Sequence, residues 1–362
     1  LLARSTGRPV RLFLTREESF LCAGNRPPNT MTLKAGARKD GTLTALWLRN
    51  LGAEGAYPAG VGVGYLVSNL YRCPNVKREE TGACINAGQA RAFRAPGFPQ
   101  GAWALEQMMD ALAHRLRLDP VEMRLRNIPD RVQETGVPFT STGLARCLRE
   151  GAAAFGWEQA RRQARASGRR RRGVGLAAGM WGYAGHPVAS AVVKLLADGS
   201  AEVVSGASDI GTGTKTVLAM VVAEELGLPL ARVSVEHADT ATTPFSPGSG
   251  GSQTTLVNAP AVRAAAADLK QQLLEIASAE LKRPAERLAL RDGKVVPLEA
   301  PQAAVPLAGL RGLQERQMLI AVGRRQPHPE GKTALPFAAQ FAEVEVDTAT
   351  GEVRVLRLLA AQ

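Results

Sequence analysis

The segment from Val203 to Leu226 constrains the fold most. It opens with a β-branched apolar run, Val203-Val204, which reads as a strand. A stretch of Ser, Gly, Asp and Thr follows and contains Gly211-Thr212-Gly213. An apolar run with helical spacing comes next and is stopped by Gly227 and Pro229. A strand, a glycine loop and a helix in this order aim main-chain N–H groups at an anion, because the first-turn donors are unsatisfied and the dipole is positive there. Two readings are open at this point: an anion-binding loop, or a tight turn joining a strand to a helix. The third glycine of a dinucleotide fingerprint is absent, and so is the Gly-Lys-Ser/Thr of a P-loop.

A second loop of the same kind spans Asp239 to Thr255, with Pro247-Gly248-Ser249-Gly250-Gly251-Ser252-Gln253-Thr254 at its heart. It leads into a long helix expected over Val257 to Leu281. Small side chains let the backbone approach a flat or charged ligand. Two such loops, each before a helix, point to one shared anionic ligand; a flexible tip is the other reading. A third irregular stretch, Asn86 to Gly101, is too broken by Gly and Pro for regular structure. It carries Arg91, Phe93, Arg94 and Phe98, and reads either as a binding loop or as a surface loop with solvated arginines.

The remaining chain supplies a mixed scaffold. Strands are expected over Met31–Arg38 and Leu43–Asn50, joined at Asp40-Gly41, and over Ala189–Leu196 and Ser200–Val204, joined at Asp198-Gly199. Further strands are expected over Ala231–His237, Leu288–Val296 as a small hairpin, and Phe341–Val346 with Val353–Leu359. Gly52 to Gly64 reads as loop. A helix is expected over Ala102–Leu116, with Leu105, Met108, Met109, Leu112 and Leu116 as its apolar stripe. Asp119 suits an N-cap and Pro120 the first helical position. Another helix is expected over Gly143–Phe155, within a linker from about Asp130 to Arg172.

The chain has 362 residues, enough for two or three domains. No apolar run approaches the ~20 residues that span a bilayer, and no signal peptide is visible. Both ends read as cut: Leu1-Leu2-Ala3-Arg4 resembles the last turn of a helix closed by Gly7, a strand is expected over Pro9–Leu14, and the chain stops just after an apparent strand. A fragment, or one piece of a split chain, is expected. The net charge of +12 is concentrated in Arg161, Arg162, Arg165 and Arg169 to Arg172. A solvated linker or face is the expected reading. Aromatics are only 5% and none interleave with the cluster, which speaks against nucleic acid; docking on an acidic partner subunit is a third option. Cys22, Cys73, Cys84 and Cys147 make no C-x-x-C pair, and His114, His186, His237 and His328 are scattered. A metal is therefore expected to be held by a cofactor rather than by side chains.

Taken together, these motifs resemble the molybdenum-cofactor subunit of the xanthine dehydrogenase and aldehyde oxidase family. Arg8 to Glu18 looks like the segment leaving the first cofactor contact, and Ala92-Phe93-Arg94-Ala95-Pro96-Gly97 with Gln100 like the active-site loop. Asp209-Ile210-Gly211-Thr212-Gly213 resembles the pterin-binding loop, Pro247–Thr255 the serine/glycine loop around the pterin, and Ala338–Val346 with Gly351-Glu352-Val353 the strand pair before the last cofactor segment. The resemblance covers nearly the whole chain and is nearest to bacterial aldehyde oxidoreductases. It implies an α+β, multi-domain architecture. Residues 1–130 would be the remainder of a first molybdopterin-binding domain, 131–172 a linker, and 173–362 a second such domain without its C-terminal part.

The resemblance also implies a molybdenum–molybdopterin cofactor, in bacteria often the cytosine dinucleotide form, with the metal ligated by the pterin dithiolene. It implies partner subunits carrying 2Fe-2S clusters and FAD in a heterotrimer, a cytoplasmic location (periplasmic if a partner carries the export signal), and no nucleic-acid or membrane partner. By position, Arg94 is expected to order the active-site loop or stabilise negative charge, and Phe93, Arg94 and Ala95 to approach the cofactor. Gly211, Thr212 and Gly213 are expected on pterin or phosphate, and Gly248, Ser249, Gly250, Gly251, Ser252, Gln253 and Thr254 on its other side. Trp181 and Pro96 are expected to line the substrate pocket; a core position is the alternative for Trp181.

Three departures bear on substrate. Thr212 stands where many relatives have glutamine, Pro96 where purine oxidisers have an aromatic residue, and Gly60 to Gly64 offers no arginine to anchor a purine. The expectation is oxidation of an aldehyde to a carboxylic acid with water as the oxygen source. The alternatives are an N-heterocycle hydroxylase of purine, isoquinoline or nicotinate type, or an inactive cofactor- or partner-binding fragment. The general-base glutamate of the family is expected beyond Gln362.

Overall fold

The computed structural model describes residues 1–60, 62–164, 168–182, 188–326 and 331–362. Arg165, His186 and His328, singled out above, lie outside the described residues.

Along the chain, helix α1 (Leu2–Thr6) is closed by Gly7 in the left-handed region. The strand expected over Pro9–Leu14 joins no described sheet, and its apolar side chains are exposed. A strand needs a ladder partner, and here the chain turns at once into α2 (Arg16–Cys22). That helix starts on a reciprocal cap: Thr15 Oγ1 accepts from the Glu18 N–H, and Glu18 accepts from the Thr15 N–H at 2.7 Å. Strands β1 (Asn29–Ala37) and β2 (Leu43–Gly55) form the expected hairpin. Next come α3 (Gly64–Asn69), β3 (Val76–Cys84), α4 (Phe98–Leu116) and α5 (Pro120–Leu125), the last with Asp119 capping the Val121 N–H at 2.7 Å. Helices α6 (Leu144–Phe155) and α7 (Trp157–Gln163) precede β4 (Arg170–Met180).

The central part holds β5 (Ser190–Leu196), β6 (Ala201–Ser205), α8 (Thr214–Leu226), β7 (Val233–His237) and α9 (Thr254–Leu281). It continues through β8 (Leu288–Arg291), β9 (Lys294–Pro297), β10 (Val305–Pro306), α10 (Arg311–Arg316) and β11 (Met318–Arg324). Strands β12 (Phe337–Asp347) and β13 (Val353–Ala361) end the chain. Reading the sequence passed over α2, α3 and α7, which are too short to display a helical period. It also passed over β3, whose charged sequence Val76-Lys77-Arg78-Glu79-Glu80 lacks strand-like alternation.

The chain packs as two compact units, Leu1–Gly182 with Gly331–Gln362, and Tyr183–Glu330. The first of these units is made of two stretches that are not contiguous in sequence. Strand β4 pairs along its length with β12, with Leu176 opposite Phe341, so both ends of the 173–362 segment belong to the first unit. The first unit contains the sheet β1-β2-β3, in which β3 runs parallel to β2, and the sheet β13-β12-β4.

Of the arginine cluster, Arg161 and Arg162 lie on α7, where they face Asp119 and Glu158, while Arg169 immediately precedes β4 and Arg170 to Arg172 open it in this second sheet. Arg169 contacts Asp347 at 2.8 and 2.9 Å, Arg170 contacts Glu345 at 3.4 Å, and Arg172 contacts Glu343 at 3.9 Å. Arg170 and Arg172 thus open a strand and keep the solvated face expected of them, 59% and 52% exposed, while facing carboxylates on the neighbouring strand. Each such half-exposed pair contributes only ~0–1 kcal/mol. The Arg169 guanidinium, with the Ala349 N–H, holds the Asp347 carboxyl below the usual range.

A buried ionic knot ties α4, α5 and β4 together. Glu106 Oε1 accepts from the Tyr71 hydroxyl at 2.7 Å, and Oε2 accepts from Arg124 Nε at 2.8 Å and from the Ala178 N–H at 2.6 Å. Arg124 also donates to Asp110 at 2.9 Å and to the Leu176 carbonyl at 3.3 Å. Burial pushes the Glu106 carboxyl and the Tyr71 phenol above their usual ranges, with the Arg124 charge opposing the rise in both.

The second unit is built on the sheet β11-β5-β6-β7. Alternate residues Ala191, Val193 and Leu195 of β5 are fully buried, as are Val257, Ala261, Ala265, Leu269, Leu273 and Ala277 of α9. That helical spacing lays one apolar face of α9 into the core, alongside Leu218, Val222 and Leu226 of α8. The same geometry sets the starts of α8 and α9, where the two glycine loops lie.

Candidate functional site

In the second unit the two glycine loops are neighbours. The Ser249 hydroxyl donates to the Ser208 carbonyl at 2.5 Å, tying the second loop to the first. Gly206 makes the close approach possible: a Cβ there would sit 2.2 Å from the Pro244 carbonyl oxygen and 3.1 Å from the Ser246 nitrogen. The Ser246 hydroxyl donates to Asn258 Oδ1 at 2.9 Å, and Asn258 Nδ2 donates to the Thr254 carbonyl at 2.9 Å. Buried Asn258 thereby fixes the second loop to the first turn of α9. Within that loop, Gln253 Nε2 donates to the Gly248 carbonyl at 2.8 Å.

The first loop departs from the expectation of open amides. Asp209 Oδ1 accepts from the N–H groups of Gly211, Thr212 and Gly213 at 2.9, 3.0 and 3.2 Å, and Oδ2 from that of Lys215 at 3.3 Å. Desolvation alone would raise the Asp209 pKa; the N–H donors of Gly211, Lys215, Gly213 and Thr212 together outweigh it and lower it. The loop is an anion nest whose anion is the chain's own carboxylate. The motif carried a signal for this: an Asp two residues before a glycine in a turn-rich stretch favours side-chain capping of the following amides.

These residues fit an anionic cofactor on two observations. Four main-chain N–H groups converge on one carboxylate, as they would on a phosphate oxygen. At Gly211, Gly213, Gly248 and Gly250 nothing stands within 4 Å of the place a Cβ would occupy, so the backbone is bare toward open space. Among the described residues, no group of three or more His, Cys, Asp or Glu side chains is placed to hold a metal ion.

In the first unit the loop from Phe93 to Pro96 is held from one side by a residue that the motifs did not single out. Arg26 donates through Nη2 to the Arg94 carbonyl at 2.5 Å and through Nη1 to the Ala95 carbonyl at 3.3 Å. The same Nη1 donates to Gln100 Oε1 at 3.2 Å, and the guanidinium lies 4.7 Å from the centre of the Phe93 ring. Gln100 in turn donates to the Pro27 carbonyl and to Asn29 Oδ1, both at 3.3 Å. Ala95 has φ 57° and Gly97 φ 79°, and a Cβ on Gly97 would sit 2.0 Å from the Gly62 carbonyl oxygen. Arg94 itself is exposed, and its carbonyl is among the acceptors of Arg26. Trp181 packs against Phe98 with ring centres 4.5 Å apart and planes tilted by 50°, and Phe98 in turn lies 5.9 Å from Tyr65. This aromatic cluster sits at the start of α4, two residues after Pro96.

Models of the molybdopterin cofactor-binding domain match residues 1–128 and 150–362. The chain is 36% identical to the xanthine dehydrogenase molybdenum-binding subunit of Escherichia coli O157:H7, over 99% of this chain and 50% of that protein. It is 35% identical to the aldehyde oxidoreductase molybdenum-binding subunit PaoC of Escherichia coli strain K12, over 99% of this chain and 48% of that protein. Among solved structures, quinoline 2-oxidoreductase from Pseudomonas putida 86 has the same fold, with a TM-score of 0.81 at 24% identity, over 99% of this chain and 50% of that one. The chain spans about half the length of these relatives.

Proposed function

Since the chain belongs to the molybdopterin-binding subunits of the xanthine dehydrogenase and aldehyde oxidase family, we propose that it contributes to a molybdenum hydroxylase that oxidises an aldehyde to a carboxylic acid with water. The observation that carries this is the pair of glycine loops tied through Ser249 and Ser208: the first gathers its amides around the Asp209 carboxylate, and at Gly211, Gly213, Gly248 and Gly250 the place of a Cβ is open. When bound, the molybdenum cofactor supplies the two-electron oxidation of the substrate carbon.

This chain's own residues have distinct tasks in that reading. Gly211, Thr212 and Gly213 hold pterin or phosphate oxygens by main-chain N–H groups, once Asp209 yields its place. The open backbone at Gly248 and Gly250, with Ser249, Gly251, Ser252, Gln253 and Thr254, contacts the pterin's other side. In the first unit, Phe93, Arg94 and Ala95 face the cofactor, and the exposed Arg94 guanidinium stabilises negative charge on the substrate. Pro96 and the tilted Trp181–Phe98 pair supply apolar surface for the substrate. The cytosine dinucleotide form, partner subunits carrying 2Fe-2S and FAD, and a cytoplasmic location belong to the same proposal. No described helix is long and apolar enough to cross a membrane.

An N-heterocycle as substrate is the second reading. It is favoured by the relative named xanthine dehydrogenase and by the fold shared with a quinoline oxidoreductase. Against a purine stand Pro96 and the arginine-free stretch from Gly60 to Gly64. The test is metal and nucleotide analysis of the full-length subunit purified with its partners. Stoichiometric molybdenum with released CMP, and turnover of aromatic aldehydes over heterocycles, is the expected result. No molybdenum in the intact subunit sinks the reading; heterocycle turnover alone replaces the substrate class.

A further inference from the structure

We propose that Arg26 is a positioning residue for the 93–97 loop, holding that loop in the one conformation that the reaction uses. This rests on the reading that Phe93, Arg94 and Ala95 face the cofactor.

The loop has a conformation that its own sequence does not favour. Ala95 is not glycine, yet its φ is 57°. A side chain in this region is disfavoured, and such a residue persists only where its surroundings over-determine it. Residue 96 is proline, so the 95–96 peptide has no N–H with which to anchor itself. The loop must be held through its carbonyls, and Arg26 takes both the Arg94 and the Ala95 oxygens.

The planar guanidinium suits this task. Two nitrogens reach two carbonyls while the guanidinium carbon lies over the Phe93 ring, a combination that an ammonium group does not reproduce. Peptide planarity then gives the contact a direction. In a trans peptide the C=O and the N–H point to opposite sides, so drawing the Arg94 oxygen toward Arg26 turns the Ala95 N–H away from it. Arg26 thus sets the heading of the Ala95 N–H, a donor of the kind that stabilises developing negative charge.

Arg26 is itself held on both flanks. The Arg91 N–H donates to the Asn25 carbonyl at 3.0 Å, and Asn25 bridges to Ala90, fixing the chain just before Arg26 to the chain just before the loop. Gln100, on the first turn of α4, anchors the guanidinium from the far side of the loop. Gly24 closes the packing, since a Cβ there would meet the Arg91 side chain at 2.2 Å and the Gln89 carbonyl oxygen at 2.7 Å.

The experiment uses the full-length subunit in its complex, as wild type, Arg26→Ala and Arg26→Lys. Amide hydrogen exchange across residues 92–98 is measured on cofactor-free protein, with the β1–β2 hairpin as internal reference. Molybdenum content, kcat and KM are measured on the loaded enzyme with an aromatic aldehyde. Arg26→Ala is expected to raise exchange in 92–98 at least tenfold, with the hairpin unchanged, because the Phe98 N–H is bonded to the Ala95 carbonyl that Arg26 holds. It is also expected to lower kcat about 10²-fold with KM altered far less, the scale of loss for a reacting group displaced by an ångström. Arg26→Lys is expected to recover part of the exchange protection and little of kcat. Unchanged exchange in Arg26→Ala overturns the proposal. Raised exchange with unchanged kcat overturns Arg26 as a positioning residue for the reaction while leaving the family reading intact. A wild-type enzyme without molybdenum or turnover sinks the family reading instead, and the exchange data still decide whether Arg26 holds the loop.

Discussion

Glu106→Gln should be among the most damaging single-atom changes available in the first unit. The side chains of Glu106 and Arg124 are 6% and 0% exposed, so neither can turn to water. The Glu106 carboxylate accepts from three donors, the Tyr71 hydroxyl, Arg124 Nε and the Ala178 N–H. An amide at the same place has one acceptor oxygen and a donor NH2 group. Turned with its oxygen toward Arg124 and Ala178, the amide keeps those two donors and presents its NH2 to the Tyr71 oxygen, but the negative charge is gone, and the buried Arg124 is left with Asp110, whose side chain is 46% exposed, as its ionic partner. Removing one partner of such a buried pair costs ~3–5 kcal/mol. For a domain of 150–250 residues each kcal/mol moves Tm by about 2–4 °C, giving a drop of roughly 6–20 °C. Thermal unfolding followed by circular dichroism measures it. The same measurement on Arg124→Met and on the double variant closes the cycle. The double variant should lose clearly less than the sum of the singles, because removing both charges leaves no orphan ion. A Glu106→Gln drop below 2 °C, or strict additivity, would show that the knot is not a coupled ionic contact.

Two further changes address the glycine loops. Gly206→Ala places a Cβ 2.2 Å from the Pro244 carbonyl and should part the two loops, with ~1–3 kcal/mol of destabilisation by overpacking and a loss of bound molybdenum, read by thermal unfolding and metal analysis. Asp209→Asn removes the charge from a carboxyl whose folded pKa is depressed by its four N–H donors. A depressed pKa contributes stability that is present above the ordinary aspartate range and lost as pH falls through the lower folded value. The Tm difference between wild type and Asp209→Asn should therefore hold at neutral pH and shrink below about pH 4. A difference that stays constant to pH 2 refutes this account of the nest.

The sequence alone was enough to locate the loops and most of the scaffold. Both Asp-Gly hairpins formed where they were expected, because turn chemistry is local. Helices α4, α6 and α9 carried enough turns to display a buried face. The family resemblance was legible because its motifs are short, ordered segments of backbone-active residues.

Tertiary structure decided what those segments do to one another. The pairing of β4 with β12 joins residues far apart in sequence and puts both ends of the 173–362 stretch into the first unit. The arginines of β4 find carboxylates on β12 only once that register exists. Arg26 is separated from the loop it grips by nearly seventy residues, and no local pattern records a guanidinium aimed at two carbonyls. Asp209 lies within its own motif, yet whether its carboxylate faces solvent or fills the nest depends on the path of the loop between β6 and α8. Propensity, capping and turn chemistry act over a few residues and are written in order along the chain. Hydrogen bonds between distant residues are set by which surfaces the core brings together, and that is settled only when the whole unit packs.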